Sequence, residues 1–129
     1  MDRKMIFTVN TATHGVKLNK IIKDHSVHFV PLLDVGVSVN DQNAMEMGKR
    51  LDVFFRDYRN PKVYYEAEVW PGRVHFVDFL HPNAITFWKM QMKRLYDQVQ
   101  FSGIWIDMNE PSNFRGNEPT KETFRIQQN

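Results

Sequence analysis

The period of the apolar positions changes several times along the chain. Leu18, Ile21 and Ile22 recur at helical spacing with Lys17, Lys20 and Lys23 around them, which predicts a short amphipathic helix that gives out near Asp24 to Ser26. Before it, from Met1 to Thr13, little is periodic, and Ile6-Phe7-Thr8-Val9 is at most a short extended piece. Val27-His28-Phe29-Val30-Pro31-Leu32-Leu33-Asp34 is instead a nearly continuous apolar run, the pattern of a strand buried on both faces. Pro31 cannot donate to a ladder, so a bulge or an irregular strand is expected there. Ser38 to Gly48 is polar and reads as a surface loop with at most one helical turn at Ala44, Met45 and Met47. Val53-Phe54-Phe55 and Val63-Tyr64-Tyr65 bracket an Asn60-Pro61 turn, which predicts a hairpin. Ile85, Trp88, Met92, Leu95 and Val99 alternate steps of three and four, the clearest helix in the chain, with Pro82 suited to its first turn and Asn83 able to cap it.

After that helix Phe101-Ser102-Gly103 turns the chain into Ile104-Trp105-Ile106, and this short apolar run stops at a carboxylate, Asp107. The run ending at Asp34 has the same form: apolar residues, an aspartate, and a turn residue, Gly36, two positions on. Two strands that each end in Asp and are joined through a helix match successive βα units of an α/β barrel, in which side chains at the carboxyl ends of strands face the ligand. Taken singly, each aspartate fits a turn opener or helix cap as well.

Composition narrows the function classes without choosing one. Of the 129 residues, 42% are apolar and 25% charged, ordinary values for a globular chain. A formal charge of +2 with dispersed Lys and Arg gives no footprint for nucleic acid or an anionic membrane. No apolar run approaches the ~20 residues of a membrane span, and Met1 to Phe7 has no signal-peptide core. The absence of cysteine removes disulfides and thiolate metal sites, and no Asn-x-Ser/Thr sequon is present. The five histidines show no paired metal-ligand spacing, and there is no Gly-rich phosphate loop or serine elbow, so no metal or cofactor is implied.

Gly103-Ile104-Trp105-Ile106-Asp107-Met108-Asn109-Glu110, continued by Pro111-Ser112-Asn113-Phe114, closely resembles the signature of glycoside hydrolase family 31, the retaining α-glucosidases and their relatives. The resemblance implies a partial (β/α)8 TIM barrel, about two βα units with a hairpin insertion, since a whole barrel takes ~250 residues. On that reading residues 1–129 are part of one catalytic barrel domain, 40–68 form a loop or hairpin insertion, and 115–129 are loop or disordered tail. The remainder of the barrel would then be needed to complete the site. The family's settings include the secretory pathway, lysosomes and the cell exterior, and location stays open.

The resemblance assigns the catalytic nucleophile to Asp107 and a sugar-binding role in the floor of the pocket to Asp34. Where the family has Pro-Gly after that second aspartate, this chain has Val35-Gly36, keeping the glycine that permits positive φ. Glu66-Ala67-Glu68-Val69-Trp70-Pro71-Gly72 resembles a family segment whose tryptophan lines the pocket, which maps to Trp70, with Ala67 where glycine is common. A loop tryptophan alone is either a packing anchor or a platform for the C–H face of a sugar. Trp105 and Met108 match further wall positions, and alternation puts Trp105 on the same side of its strand as Asp107, leaving Ile104 and Ile106 for the surrounding helices. Glu110 supports the site through hydrogen bonds or is a helix-start glutamate.

Retaining hydrolysis needs an ionised nucleophile held by donors, for which Asn109 and the backbone N–H groups after the strand are candidates, and a second carboxyl to protonate the leaving oxygen. The family's general acid is an aspartate on a later barrel strand, and nothing after Phe114 matches it. The resemblance therefore implies hydrolysis of terminal α-linked glucose from an oligosaccharide by a parent enzyme whose nucleophile lies here and whose acid does not. α-Xylosidase or α-glucan lyase specificity, or a non-catalytic truncated product or pseudoenzyme, remain the alternatives.

Overall fold

The structure, a computed structural model, describes residues 12–114. The expected extended piece at Ile6–Val9 and the tail at 115–129 lie outside them. The elements in order are α1 (Ala12–His25), β1 (Leu32–Asp34), β2 (Gly36–Ser38), α2 (Gln42–Leu51), β3 (Ala67–Val69), β4 (Gly72–Phe76), α3 (Ala84–Tyr96) and β5 (Trp105–Asp107). No helix among the described residues is long and apolar enough to cross a membrane.

Helix α1 ends where the sequence predicts, at a left-handed Ser26 (φ 50°), with Val27 N–H returning to the Ile22 carbonyl at 3.2 Å. Its Asn19 side chain donates to the Gln98 carbonyl at 3.0 Å and accepts the Gln100 N–H at 2.8 Å, which docks the helix on the approach to β5.

Strands β1 and β5 pair in parallel, with Leu32 opposite Trp105, Leu33 opposite Ile106 and Asp34 opposite Asp107. Only three residues of the expected long strand are regular, because Pro31 interrupts the ladder. Ser102 N–H donates to Phe29 O and Trp105 N–H to Pro31 O, a step of three positions in one strand against two in the other, which is the irregularity expected at the proline.

The connection from β1 to β5 carries a three-stranded antiparallel sheet in the order β2-β4-β3 and then α3. Strands β3 and β4 form a tight hairpin around Trp70-Pro71, with Val69 opposite Gly72, whose φ of +89° suits glycine. Phe55 and Tyr65 also pair, Tyr65 N–H to Phe55 O at 2.8 Å, but the predicted hairpin at 53–65 amounts to isolated bridges, Arg56 with Tyr64 and Phe54 with Val77, rather than regular strands.

Four expectations need correction. The polar stretch after Ser38 is not a loop with one helical turn: it holds a ten-residue helix, α2. Asp41 starts it by accepting the Ala44 N–H at 3.2 Å, and buried Ala44, Met45 and Gly48 form its inner face. In α3 the buried stripe is Ala84, Phe87, Gln91 and Leu95, so Ile85 is 66% exposed and Trp88 and Met92 are only half-buried. Asn83 sits at the N-cap without a side-chain cap bond, its amide donating instead to the Leu51 carbonyl at 3.1 Å, and Pro82 precedes the helix. Gly36 does not use positive φ. It is the first residue of β2, and a Cβ there would lie 2.9 Å from Val74 Cγ2 and 3.0 Å from both Val69 Cγ2 and Asp34 Oδ1, so space selects the glycine.

Two apolar clusters hold these layers. Leu33, Val37, Ala44, Met45, Val53, Phe54, Val77, Ala84, Phe87 and Leu95 join β1 to α2 and α3, with Ile104 packed against them. Val35, Ala67, Val69, Val74 and Phe76 form the second, under the antiparallel sheet. Trp88 touches both. Arg94 pins α3 to the start of α2 through Asp41, at 3.0 Å to each carboxylate oxygen.

Candidate active site

Because side chains alternate along a strand and β1 and β5 run in register, paired residues share a face. One face carries Leu33, which enters the helix-side core with Ile104, as expected for positions turned toward helices. Ile106 shares that face but is 46% exposed. The other face carries, row by row, Leu32 beside Trp105 and then Asp34 beside Asp107. Leu32 and Trp105 are 43% and 63% exposed, so this face is open to solvent up to the acidic row.

Asp34 is buried, and its two oxygens differ. Oδ1 accepts the Gly36 N–H at 2.7 Å, while Oδ2 has no hydrogen-bond partner. Burial pushes the carboxyl up to about 6; the Gly36 N–H works against this, and the charge of Asp107 adds a smaller upward push. A buried oxygen without a partner is an acceptor for a ligand hydroxyl, since leaving it unpaired is costly. Asp107 is half-buried, and its Oδ1 accepts the N–H of Met108 at 3.0 Å, a backbone donor directly after the strand. Met108 adopts φ 63° and packs its side chain against the sheet cluster.

The segment after Met108 folds back across β3. Phe114 N–H donates to the Glu68 carbonyl at 2.8 Å, and the Phe114 ring meets Trp70 edge-on with centroids 5.0 Å apart. Trp70 is half-exposed, next to Val69, whose Cγ2 and Asp34 Oδ1 both approach the same point above Gly36. Glu110 lies on the exposed outside of this segment, where the Ser112 hydroxyl donates to it at 2.7 Å and holds its carboxyl below the usual range. Asp34 and Asp107 are thus neighbours, Trp105 shares their face, Met108 follows on the sheet side, and Trp70 is tied to the same segment through Phe114. The side-chain hydrogen bond described for Glu110 lies within its own turn.

Sequence reasoning missed Asn113. Its Oδ1 accepts the Glu68 N–H at 3.1 Å and its Nδ2 donates to the Tyr65 hydroxyl at 3.0 Å, long-range bonds with no periodic signature. Among the described residues no group of three or more His, Asp or Glu side chains is placed to hold a metal ion.

A family model for the glycosyl hydrolases family 31 TIM-barrel domain matches residues 1–129. The chain is 40% identical over 109 residues to an alpha-glucosidase of Candida tsukubaensis, covering 79% of this chain and 10% of that protein. It is 32% identical over 121 residues to a probable alpha/beta-glucosidase of Arthroderma benhamiae, covering 88% and 14%. Alpha-xylosidase 1 of Arabidopsis thaliana is 36% identical over 119 residues, covering 88% and 13%. Among solved structures, the alpha3-Glc2-bound form of a glucosidase II alpha subunit superposes with a TM-score of 0.76 at 26% identity, covering 93% of this chain and 13% of that one. The chain therefore spans 14% or less of the length of these relatives. A barrel-domain match over the full length, joined by relatives above 30% identity across most of it, is membership: the chain belongs to glycoside hydrolase family 31, and its βα units are part of that family's TIM barrel.

Proposed function

We propose that the protein containing this chain is a retaining α-glucosidase that releases terminal α-linked glucose from oligosaccharides, with Asp107 as the nucleophile. The observation that carries the reading is the register of β1 and β5, which sets Asp34 and Asp107 side by side at the carboxyl ends of adjacent parallel strands. Ionised Asp107 attacks the anomeric carbon, and Asp34 accepts a hydroxyl of the same sugar through its unpartnered Oδ2. Trp70, Trp105 and Met108 give the pocket apolar walls for the sugar's C–H faces. Glu110 supports the turn that follows the nucleophile. The general acid belongs to a later barrel strand. The names of the relatives, alpha-glucosidase in Candida tsukubaensis and an alpha3-Glc2-bound glucosidase II alpha subunit among structures, support the substrate class.

The test is hydrolysis of an aryl α-glucoside by the complete gene product, with the first-formed sugar read by proton NMR. Release of the α-anomer, and a loss of at least about 10³-fold in turnover for Asp107→Asn, are expected. A β-anomer, or an Asn variant at full rate, overturns the assignment. The 36% identity to alpha-xylosidase 1 favours one second reading, an α-xylosidase, which a higher kcat/KM on the aryl α-xyloside would establish.

A further inference from the structure

Strand β3 is an outer strand of its sheet, yet the main chain of its central residue is not left bare. Glu68 gives its N–H to Asn113 Oδ1 at 3.1 Å and takes the N–H of Phe114 on its carbonyl at 2.8 Å. The Asn113 amide also donates to the Tyr65 hydroxyl at 3.0 Å. A side-chain amide here acts as one rung of a strand, completing an edge that a neighbouring strand would otherwise cover. The segment that delivers Asn113 starts at Asp107 and is braced within itself: Ser112 N–H returns to Met108 O at 3.2 Å, and Met108 packs into the sheet cluster. Beyond the rung, Phe114 presses its ring edge-on to Trp70 at 5.0 Å and 78°.

We infer that Asn113 is a positioning residue, which clamps the segment after Asp107 to β3 and through Phe114 fixes the Trp70 indole relative to the acidic row. The inference rests on the reading of Trp70 as a wall of the sugar pocket. Chemistry selects the residue type, because the position needs an acceptor and a donor on one short planar group. Aspartate keeps the acceptor, and the Tyr65 hydroxyl can turn to donate to it. Leucine, of similar size, keeps neither bond.

The clamp is tested first in the complete gene product, by the proton–nitrogen NMR signals of the tryptophan indoles, with Trp70 assigned by Trp70→Phe. Asn113→Leu should shift or broaden the Trp70 indole signal and leave that of Trp105 in place, and Asn113→Asp should restore it. Tyr65→Phe, which removes one hydroxyl and keeps the backbone rung, should give the same displacement in smaller measure, and serves if the leucine variant does not fold. In the complete gene product acting on an aryl α-glucoside, Asn113→Leu should raise KM about five- to tenfold with kcat within about twofold, the pattern of lost binding rather than lost chemistry. On a Trp70→Ala background the same substitution should change KM less than about twofold. A Trp70 signal unmoved in both variants overturns the clamp, as do KM effects that multiply across the two backgrounds. An inactive gene product would defeat the glucosidase reading while the indole signals still decide this one.

Discussion

Asp34 offers the sharpest physical test, because one substitution changes its charge and almost nothing of its shape. Burial holds its carboxyl at about 6 in place of the ordinary 3.8, and raising the affinity for a proton that far is worth about 3 kcal/mol at 1.36 kcal/mol per pH unit. The folded state binds the proton more tightly than the unfolded chain, so between these two values folding takes up a proton. The stability this group contributes is fully present below pH 3.8 and is lost as the pH rises through about 6. Asp34→Asn removes the titration. Its Oδ1 still accepts the Gly36 N–H, while an amide nitrogen in place of the unpartnered Oδ2 adds a cost of about 1–3 kcal/mol that does not depend on pH. Urea unfolding of both proteins at steps from pH 3.5 to 8 gives the difference curve. The wild type should lose about 3 kcal/mol relative to the variant across that window and then run parallel to it. The step should persist in an Asp107→Asn background, since that charge is the smallest of the three causes. A flat difference, or a wild type that gains on the variant with rising pH, refutes the burial argument.

Two further substitutions test the frame around the site. Asp41→Ala removes the cap of α2 and leaves the half-buried Arg94 without its carboxylate, at a cost of about 3 kcal/mol that should appear as a lower urea midpoint. Gly36→Ala sets a methyl 2.9–3.0 Å from Val74, Val69 and Asp34 Oδ1 and should cost about 1–3 kcal/mol by the same measurement. An unchanged midpoint would mean that the start of β2 can shift to admit it.

The acidic row was legible in the sequence because each aspartate ends an apolar run, and a strand buried on its helix side must declare itself in that way. The resemblance around Asp107 supplied the barrel. What escaped was decided by residues whose hydropathy misleads. In α3 a count of apolar positions favours Ile85, Trp88 and Met92, but the inner stripe uses Ala84 and Gln91, a small residue that allows close approach and an amide satisfied by Met47 and Arg94. Helix α2 hid in a polar stretch because its contact with the core rests on Ala44, Met45 and a glycine, and its start on one aspartate that also serves Arg94. Val74 and Phe76 alternate with Arg73 and His75, a strand signal overshadowed by the Trp70-Pro71 turn before it. Asn113 lies in the stretch that carries the resemblance, but its clamp on β3 had no local signal, because Glu68 and Tyr65 lie more than forty positions away.

The row arrangement also constrains any element that would cover this face. Leu32 and Trp105 occupy the row directly before Asp34 and Asp107 on one face, so an element that covers the apolar pair also withdraws water from the acids. Desolvation raises the proton affinity of a carboxyl, and it already dominates at Asp34. The nucleophilic role proposed for Asp107 needs a carboxylate, and the contacts described for Asp107 supply one backbone donor, the Met108 N–H. Covering this face is therefore compatible with nucleophilic chemistry only if the covering element brings cations or hydrogen-bond donors to Asp107.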